Sequence, residues 1–145
     1  MEVGNICTRP VDTIAPQESV LSAAQRMLQR NVGSLVIVNE RSEPIGIVTD
    51  RDLTLRVIAA NLDAKKTTVA DVMSGSPRLA RECHTIDAAL TLMREVPCRR
   101  IPVMANDSDA LVGLLSLDDI HEYHAEEAQM MGGILRRENP DHLEA

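Results

Sequence analysis

Apolar and polar positions follow the same order twice along this 145-residue chain. In residues 19–30 apolar side chains recur at helical spacing behind Ser19, which is placed to cap a helix. Two short apolar runs follow, residues 35–38 and residues 45–48, separated by a polar turn as buried strands are. A second helix is predicted to begin at Asp50. With a short extended piece before the first helix, the order is β-α-β-β-α.

The second half of the chain repeats this order. SVLSAAQRMLQRNVGSLVIVNE, which begins at residue 19, matches TIDAALTLMREVPCRRIPVMAN, which begins at residue 85, and PIGIVTDRDL matches LVGLLSLDDI. A helix is therefore predicted over residues 85–95, strands over residues 101–104 and 111–115, and a last helix from Leu117. Units of about fifty residues bury too little surface alone, so we expect the two to pack together.

The repeat sets the predicted domain organisation and an α/β (α+β) fold class. Residues 1–60 form the first repeat, residues 61–68 a polar linker and residues 69–130 the second repeat. Residues 131–145 are predicted to be a terminal tail, because the glycine pair at 132 and 133 is expected to stop the last helix.

Composition and charge exclude several classes of function. Aromatic residues make up 1% of the chain and the net charge is −7, which disfavours nucleic-acid binding. No apolar run approaches the ~20 residues that span a bilayer, and the polar start MEVGN lacks a secretory segment. Three cysteines without a CxxC pair disfavour disulfides and zinc knuckles. We expect a cytoplasmic protein without a membrane or nucleic-acid partner.

Both copies keep a hydroxyl and a carboxylate where a strand meets a helix: Thr49 with Asp52, and Ser116 with Asp119. One interpretation is a capping box, in which each pair only satisfies the helix N-terminus. The other is a ligand crevice, in which the carboxylate accepts hydrogen bonds from a ribose and free N–H groups favour a phosphate. The spacing fits both interpretations.

Basic residues lie beside these positions although the chain is acidic. Arg51 lies within the first motif, and Arg99 and Arg100 lead into a strand of the second repeat. They could simply be solvent-exposed side chains on loops. Two adjacent guanidiniums that point into one cleft would, however, suit a phosphate. The first repeat has Gly33 and Ser34 in place of the arginine pair, so the two clefts are not expected to bind equally.

The repeated unit resembles a CBS domain, and the pair resembles a CBS tandem, or Bateman module. The resemblance is carried by GIVTDRDL and GLLSLDDI, by CRRIPV, and by VADVMSGSP with its weaker copy VGNICTRP, and it spans roughly residues 3–125. It implies two β-α-β-β-α units packed about a pseudo-two-fold axis with two clefts between them. It also implies pairing into a homodimer through helices.

The resemblance further implies an adenosine-containing ligand, such as AMP, ADP, ATP, S-adenosylmethionine or NAD. Matched residue by residue, it assigns the ribose to Thr49, Asp52, Ser116 and Asp119, the phosphate to Arg99, Arg100 and Arg51, and the adenine vicinity to Val32 and Cys98. The resemblance does not imply phosphate binding at the equivalent cleft, because Gly33 and Ser34 stand there in place of the arginine pair.

No catalytic set stands out in the sequence, so we expect no enzyme. The leading hypothesis is a stand-alone regulatory module that needs no cofactor, binds an adenosyl nucleotide with or without Mg²⁺, and reports occupancy to an unidentified effector protein. The alternative is a homodimeric scaffold with empty clefts. A third hypothesis is metal sensing by His121, His124 and Glu127, although a solvated helix face explains them as well. Cys98 could be a reactive thiol or a small buried residue.

Overall fold

The computed structural model describes residues 1–138, and its first half contains the predicted elements in the predicted order. Ser19 caps the first long helix by accepting a 3.1 Å hydrogen bond from the Ser22 N–H. The short helix after the third strand continues into a π-helical turn, Thr54–Ile58. The elements are β1 (Thr13–Ile14), α1 (Val20–Arg30), β2 (Ser34–Val38), β3 (Pro44–Thr49) and α2 (Asp50–Leu53).

The second half repeats these elements after two short additional ones. Thr85 caps its long helix through a 3.1 Å hydrogen bond from the Ala88 N–H, as Ser19 does in the first repeat. The elements are α3 (Val69–Val72), β4 (Ser74–Gly75), β5 (Ala80–Arg81), α4 (Ile86–Glu95), β6 (Arg100–Met104), β7 (Leu111–Ser116) and α5 (Leu117–Glu138). The mixed α/β class is confirmed.

Each repeat builds its own sheet with the same topology. In the first sheet β1 pairs with β2 in parallel and β2 with β3 antiparallel; β5, β6 and β7 pair in the same way. Ile37 lies opposite Gly46 in the first sheet, and Val103 lies opposite Gly113 in the second. The strand ends that carry the Thr49 and Ser116 motifs are therefore equivalent in the two sheets.

The segment that opens each repeat pairs with the sheet of the other repeat. β4 follows the linker but adds to the first sheet, with Ser74 opposite Ile47. Thr8 lies against the second sheet and exchanges backbone hydrogen bonds of 2.9 and 3.0 Å with Leu114. The hydrophobic cores follow this exchange, because Val69 packs in the first core and Val3 in the second. The two repeats thus interlock through their opening segments.

The prediction that Gly132 and Gly133 end the last helix was wrong. α5 continues through both glycines to Glu138, and no glycine of residues 1–138 has a positive φ. Glycine inside a helix costs only about 1 kcal/mol relative to alanine, which flanking helix-forming residues can offset. Of the predicted tail, residues 131–138 are helical and residues 139–145 lie outside the described part. No helix in residues 1–138 is long and apolar enough to cross a membrane.

Candidate functional site

Thr49 and Asp52 form the predicted capping box at the start of α2. The Asp52 N–H donates to Thr49 Oγ1 at 3.1 Å, and the Thr49 N–H donates to Asp52 Oδ2 at 2.9 Å. The other carboxylate oxygen, Oδ1, lies 3.8 Å from Nε of Arg56, and the Asp52 side chain is 16% exposed. Capping therefore occupies one carboxylate oxygen and leaves the second for a long ion pair or for a ligand.

Ser116 and Asp119 repeat this arrangement at the start of α5. The Asp119 N–H donates to Ser116 Oγ at 3.0 Å, and the Ser116 N–H donates to Asp119 Oδ2 at 2.9 Å. Within residues 1–138 no ion pair involves Asp119. The capping interpretation is confirmed for both motifs, and each aspartate keeps an oxygen that the cap does not use.

The Thr49 motif lies in a cleft with basic residues of the other repeat. This basic cleft has a volume of about 330 Å³ and contains three arginines and one aspartate: Arg78, Arg99, Arg100 and Asp52. It is further lined by Thr49, by the segments 74–77 and 96–98, and by Ile47. The arginine pair that the sequence placed at a strand of the second repeat thus shares its cleft with the motif of the first.

The Ser116 motif lies in a second cleft of the opposite charge. This acidic cleft has a volume of about 210 Å³ and contains three aspartates and one arginine: Asp12, Asp118, Asp119 and Arg100, which lines both clefts. Gly33 and Ser34 lie here, where the basic cleft has Arg99 and Arg100. The two clefts are equivalent in position and differ in electrostatic character.

One exposed ion pair connects the two clefts. Arg99 of the basic cleft donates to Asp118 of the acidic cleft at 3.3 Å, and the side chains are 69% and 81% exposed. Asp12 has a partner outside the clefts, Arg30, at 2.7 Å. Since exposed pairs contribute only about 0–1 kcal/mol, an anion in the basic cleft could replace Asp118 as the partner of Arg99.

Val32 and Cys98, predicted near the adenine, occupy equivalent positions in opposite clefts. The Val32 N–H donates to Met27 O at 3.1 Å in the acidic cleft, and the Cys98 N–H donates to Met93 O at 3.3 Å in the basic cleft. Burial raises the pKa of the Cys98 thiol, against the smaller opposing effects of a backbone hydrogen bond from Arg100 and the charge of Arg78. The structure therefore favours a small packed residue over a reactive thiolate.

Other predicted residues lie away from the clefts. Arg51, predicted to contact phosphate, is exposed and lines neither cleft, because one residue along a helix turns a side chain by about 100° from that of Asp52. His124 Nδ1 lies 3.2 Å from Glu127 Oε1 on the surface of α5. No group of three or more His, Cys, Asp or Glu in residues 1–138 could hold a metal ion, so the structure gives the His121 hypothesis no support.

Sequence reasoning missed Arg78 and Asp12. They lie 66 positions apart, the offset of the repeat, and each lines the cleft whose motif belongs to the other repeat. The available signal was the polar run SGSPR, residues 74–78, which contains β4 and ends at Arg78, two residues before β5. Arg78 and Asp12 lie in these clefts because the opening segment of each repeat pairs with the sheet of the other repeat. Each residue follows such a segment and precedes the first strand of its own sheet.

Comparisons of sequence agree with the repeated architecture. A family model for the CBS domain matches residues 3–59 and again residues 69–126. The CBS domain-containing protein YhcV of Bacillus subtilis is 34% identical over 118 residues, which cover 81% of each chain. The uncharacterized protein MK0525 of Methanopyrus kandleri is 34% identical over 120 residues. That match covers 83% of this chain and 61% of the longer relative.

A solved structure shares the fold over nearly its whole length. The CBS domain pair of protein MJ0100, in complex with 5′-methylthioadenosine and S-adenosyl-L-methionine, superposes with a TM-score of 0.77 at 25% sequence identity. The superposition covers 88% of this chain and 98% of the other. The paired arrangement of the two repeats is therefore shared with a solved CBS pair.

Proposed function

The chain belongs to the CBS domain family, and we propose that it is a regulatory module that binds an adenosine-containing ligand in the basic cleft. The observation that carries the proposal is the joint presence in this cleft of the Asp52 oxygen that the cap does not use and the three arginines Arg78, Arg99 and Arg100. A carboxylate accepts hydrogen bonds from both hydroxyls of a ribose, and guanidiniums bind phosphate oxygens through paired donors. The cleft volume of about 330 Å³ lies within the range of small-molecule sites.

The charges favour different ligands in the two clefts. Arg78, Arg99 and Arg100 favour a nucleotide with phosphates, such as AMP, ADP or ATP. The acidic cleft, with Asp12, Asp118 and Asp119, disfavours phosphate and suits a neutral or cationic adenosyl compound. The structural relative MJ0100, crystallised with 5′-methylthioadenosine and S-adenosyl-L-methionine, gives a precedent for such compounds in a CBS pair.

Regulation would follow from the position of the basic cleft between the repeats. A ligand that touches Asp52 and Arg99 contacts both repeats, so it stabilises the relative orientation that fits it. Phosphate binding to Arg99 would also release Asp118 from its 3.3 Å ion pair. An effector protein that recognises one orientation would then read the occupancy of the cleft. In this function the module acts by binding, without catalysis and without a required cofactor.

The direct test is isothermal titration of the chain with ADP, AMP, ATP and S-adenosylmethionine, with and without Mg²⁺. We expect at least one phosphate-bearing nucleotide to bind and to raise the melting temperature in a dose-dependent way. Arg99→Ala should weaken that binding, whereas Arg51→Ala, which removes an exposed arginine that lines neither cleft, should leave it unchanged. Absence of binding by all of these ligands to folded protein would contradict the proposal.

A second candidate function is a protein-interaction scaffold whose clefts stay empty. The observation in its favour is that the capping boxes already account for Thr49, Asp52, Ser116 and Asp119 without any ligand. In a scaffold, Asp52→Ala and Asp119→Ala would lower thermal stability by a similar amount, and no adenosyl compound would raise the melting temperature.

A further inference from the structure

The three arginines of the basic cleft differ in whether they already have a carboxylate partner. Arg99 donates to Asp118 Oδ1 at 3.3 Å, whereas no ion pair within residues 1–138 involves Arg78 or Arg100. Both side chains of the Arg99 pair are largely exposed, so a ligand can reach the guanidinium from solvent. A phosphate in this cleft would therefore compete with a carboxylate at one of the three arginines.

The backbone keeps the two side chains of this pair next to one another. The Leu117 N–H donates to the carbonyl oxygen of Arg99 at 2.8 Å, which ties the residue before β6 to the start of α5. Arg100 and Ser116, the neighbouring residues inside the strands, lie opposite one another in the antiparallel pairing of β6 with β7. Asp118 directly follows Leu117. Strand pairing and the start of the helix thus hold its carboxylate within reach of Arg99.

The first repeat has the same backbone arrangement with different side chains. The Asp50 N–H donates to the carbonyl oxygen of Gly33 at 3.0 Å, in the hydrogen bond equivalent to the one in the second repeat. Gly33 stands where the second repeat has its arginine, and Arg51 stands where it has Asp118. The fold therefore forms without this ion pair, and the pair is a property of the side chains at two positions of the second repeat.

We propose that Asp118 competes with the phosphate of the ligand for Arg99, and thereby sets the ligand concentration at which the basic cleft fills. This inference rests on the proposed function, because it takes a phosphate-bearing ligand to bind in that cleft. In the free chain the carboxylate holds the guanidinium. The phosphate displaces the carboxylate, since a guanidinium binds phosphate oxygens through paired, charged donors. Asp118 thus lowers the affinity for the ligand although it does not touch the ligand.

The exposure of the pair determines the size of this effect. An ion pair between side chains that are 69% and 81% exposed is weak, and its loss corresponds to about threefold in a binding constant. Asp118 also lies in the first turn of α5, where a negative charge stabilises the helix. Its neutralisation should therefore raise the affinity for a phosphate while it slightly lowers the stability of the fold. Damage to the helix would not produce that combination.

Displacement of Asp118 also changes the acidic cleft. Asp118 lines that cleft together with Asp12 and Asp119, and it loses its cationic partner when a phosphate binds Arg99. Filling of the basic cleft therefore leaves an additional unpaired negative charge in the acidic cleft. The charge of one cleft thus depends on whether the other is occupied.

The test is isothermal titration of the full chain with ADP and with inorganic pyrophosphate, which presents phosphates without a nucleoside. Asp118→Asn should bind both ligands about threefold more tightly than wild type does. In an Arg99→Gln background the same substitution should leave both affinities unchanged, because the competed guanidinium is gone. An Arg78→Gln background is the matched control. There the threefold gain should persist, because Arg78 lines the same cleft and forms no ion pair within residues 1–138.

The outcomes separate the competition at Arg99 from the proposed function. A gain that persists in the Arg99→Gln background would come from the general field of a negative charge near the cleft, and would overturn the competition. An Asp118→Asn variant that binds no more tightly than wild type would also overturn it. In both cases the binding of ADP to wild type would still support the proposed function. If neither ADP nor pyrophosphate bound to wild type or to any variant, the proposed function and the competition would both be wrong.

Discussion

Asp52 and Arg99 line the same cleft although they belong to different repeats. Asp52 lies in the first turn of α2, which follows β3 of the first sheet, and Arg99 directly precedes β6 of the second sheet. Because the opening segments are exchanged between the sheets, neither repeat can form the basic cleft alone. A ligand in this cleft would therefore contact both repeats.

The first prediction concerns the two aspartates of the capping boxes. Asp52→Ala should weaken ADP binding by roughly 1–3 kcal/mol, because the ribose loses a charged hydrogen-bond acceptor. Asp119→Ala should leave ADP affinity nearly unchanged, because Asp119 lies in the acidic cleft. Isothermal titration of both variants measures the difference.

The two aspartate variants also control for one another. Each removes an equivalent helix cap, so both should lose about 1 kcal/mol of unfolding free energy in urea. Equal losses of ADP affinity in both variants would show that the effect comes from destabilised helices and not from a lost ribose contact.

The second prediction concerns the phosphate. The double variant Arg99→Ala, Arg100→Ala should lose at least tenfold in ADP affinity, about 1.4 kcal/mol, and little affinity for adenosine, because only ADP presents phosphates to the guanidiniums. Titrations with both ligands at two salt concentrations measure this. Arg51→Ala is the control of the same residue type, since Arg51 lines neither cleft. An equal loss of affinity for adenosine would contradict the prediction, because it would show that the two arginines do not act through the phosphates.

Local pattern predicted the helices, the strands and the capping boxes, because these depend on nearby residues. Ser19 and Thr85 cap α1 and α4 as their positions before apolar helical runs indicate. Thr49 and Ser116 likewise form boxes that a spacing of three residues specifies. The internal repeat extended each local prediction from one half of the chain to the other.

The composition of the clefts could not be predicted in the same way. The composition of the clefts depends on two long-range pairings, β4 with β3 and Thr8 with Leu114. Local periodicity does not predict such pairings. For that reason the sequence pattern indicated Arg99 and Arg100 as candidate phosphate ligands but did not predict that they share a cleft with the Thr49 motif. It also gave no prediction for Arg78. The continuation of α5 through Gly132 was missed because a glycine pair ends a helix only where the backbone turns left-handed.

The third prediction is a pH dependence of stability at Glu18. Arg26 donates to both carboxylate oxygens, at 2.8 and 3.2 Å, and these hydrogen bonds hold the pKa of Glu18 below its usual value of 4.5. A lowered pKa in the folded state stabilises the fold above the unfolded-state pKa, and this contribution is lost as the pH falls through the folded-state pKa. Glu18→Gln should cost about 0.5–1 kcal/mol at pH 7, since both side chains are a third exposed.

Urea unfolding of wild type and Glu18→Gln from pH 7 to pH 3 measures the effect. The stability difference should close below about pH 4. Glu40→Gln, at an exposed glutamate of the turn between β2 and β3, should show no such pH-dependent difference. If the difference in unfolding free energy between wild type and Glu18→Gln stayed constant from pH 7 to pH 3, the stability loss would come from the changed shape of the side chain and not from its charge.

The last prediction tests the interlocking of the repeats at Gly113. A Cβ on Gly113 would lie 2.5 Å from Sγ of Cys7 and 3.3 Å from the carbonyl oxygen of Thr8, in the opening segment that crosses from the first repeat. Gly113→Ala should therefore cost roughly 1–3 kcal/mol in urea unfolding. Cys7→Ala removes the sulfur, so the double variant should recover part of that loss. Gly133→Ala, whose added Cβ would have nothing within 4 Å, should cost no stability and should gain up to about 1 kcal/mol, because alanine is favoured over glycine inside α5. A Gly113→Ala variant as stable as wild type would show that the opening segment is not held against the second sheet.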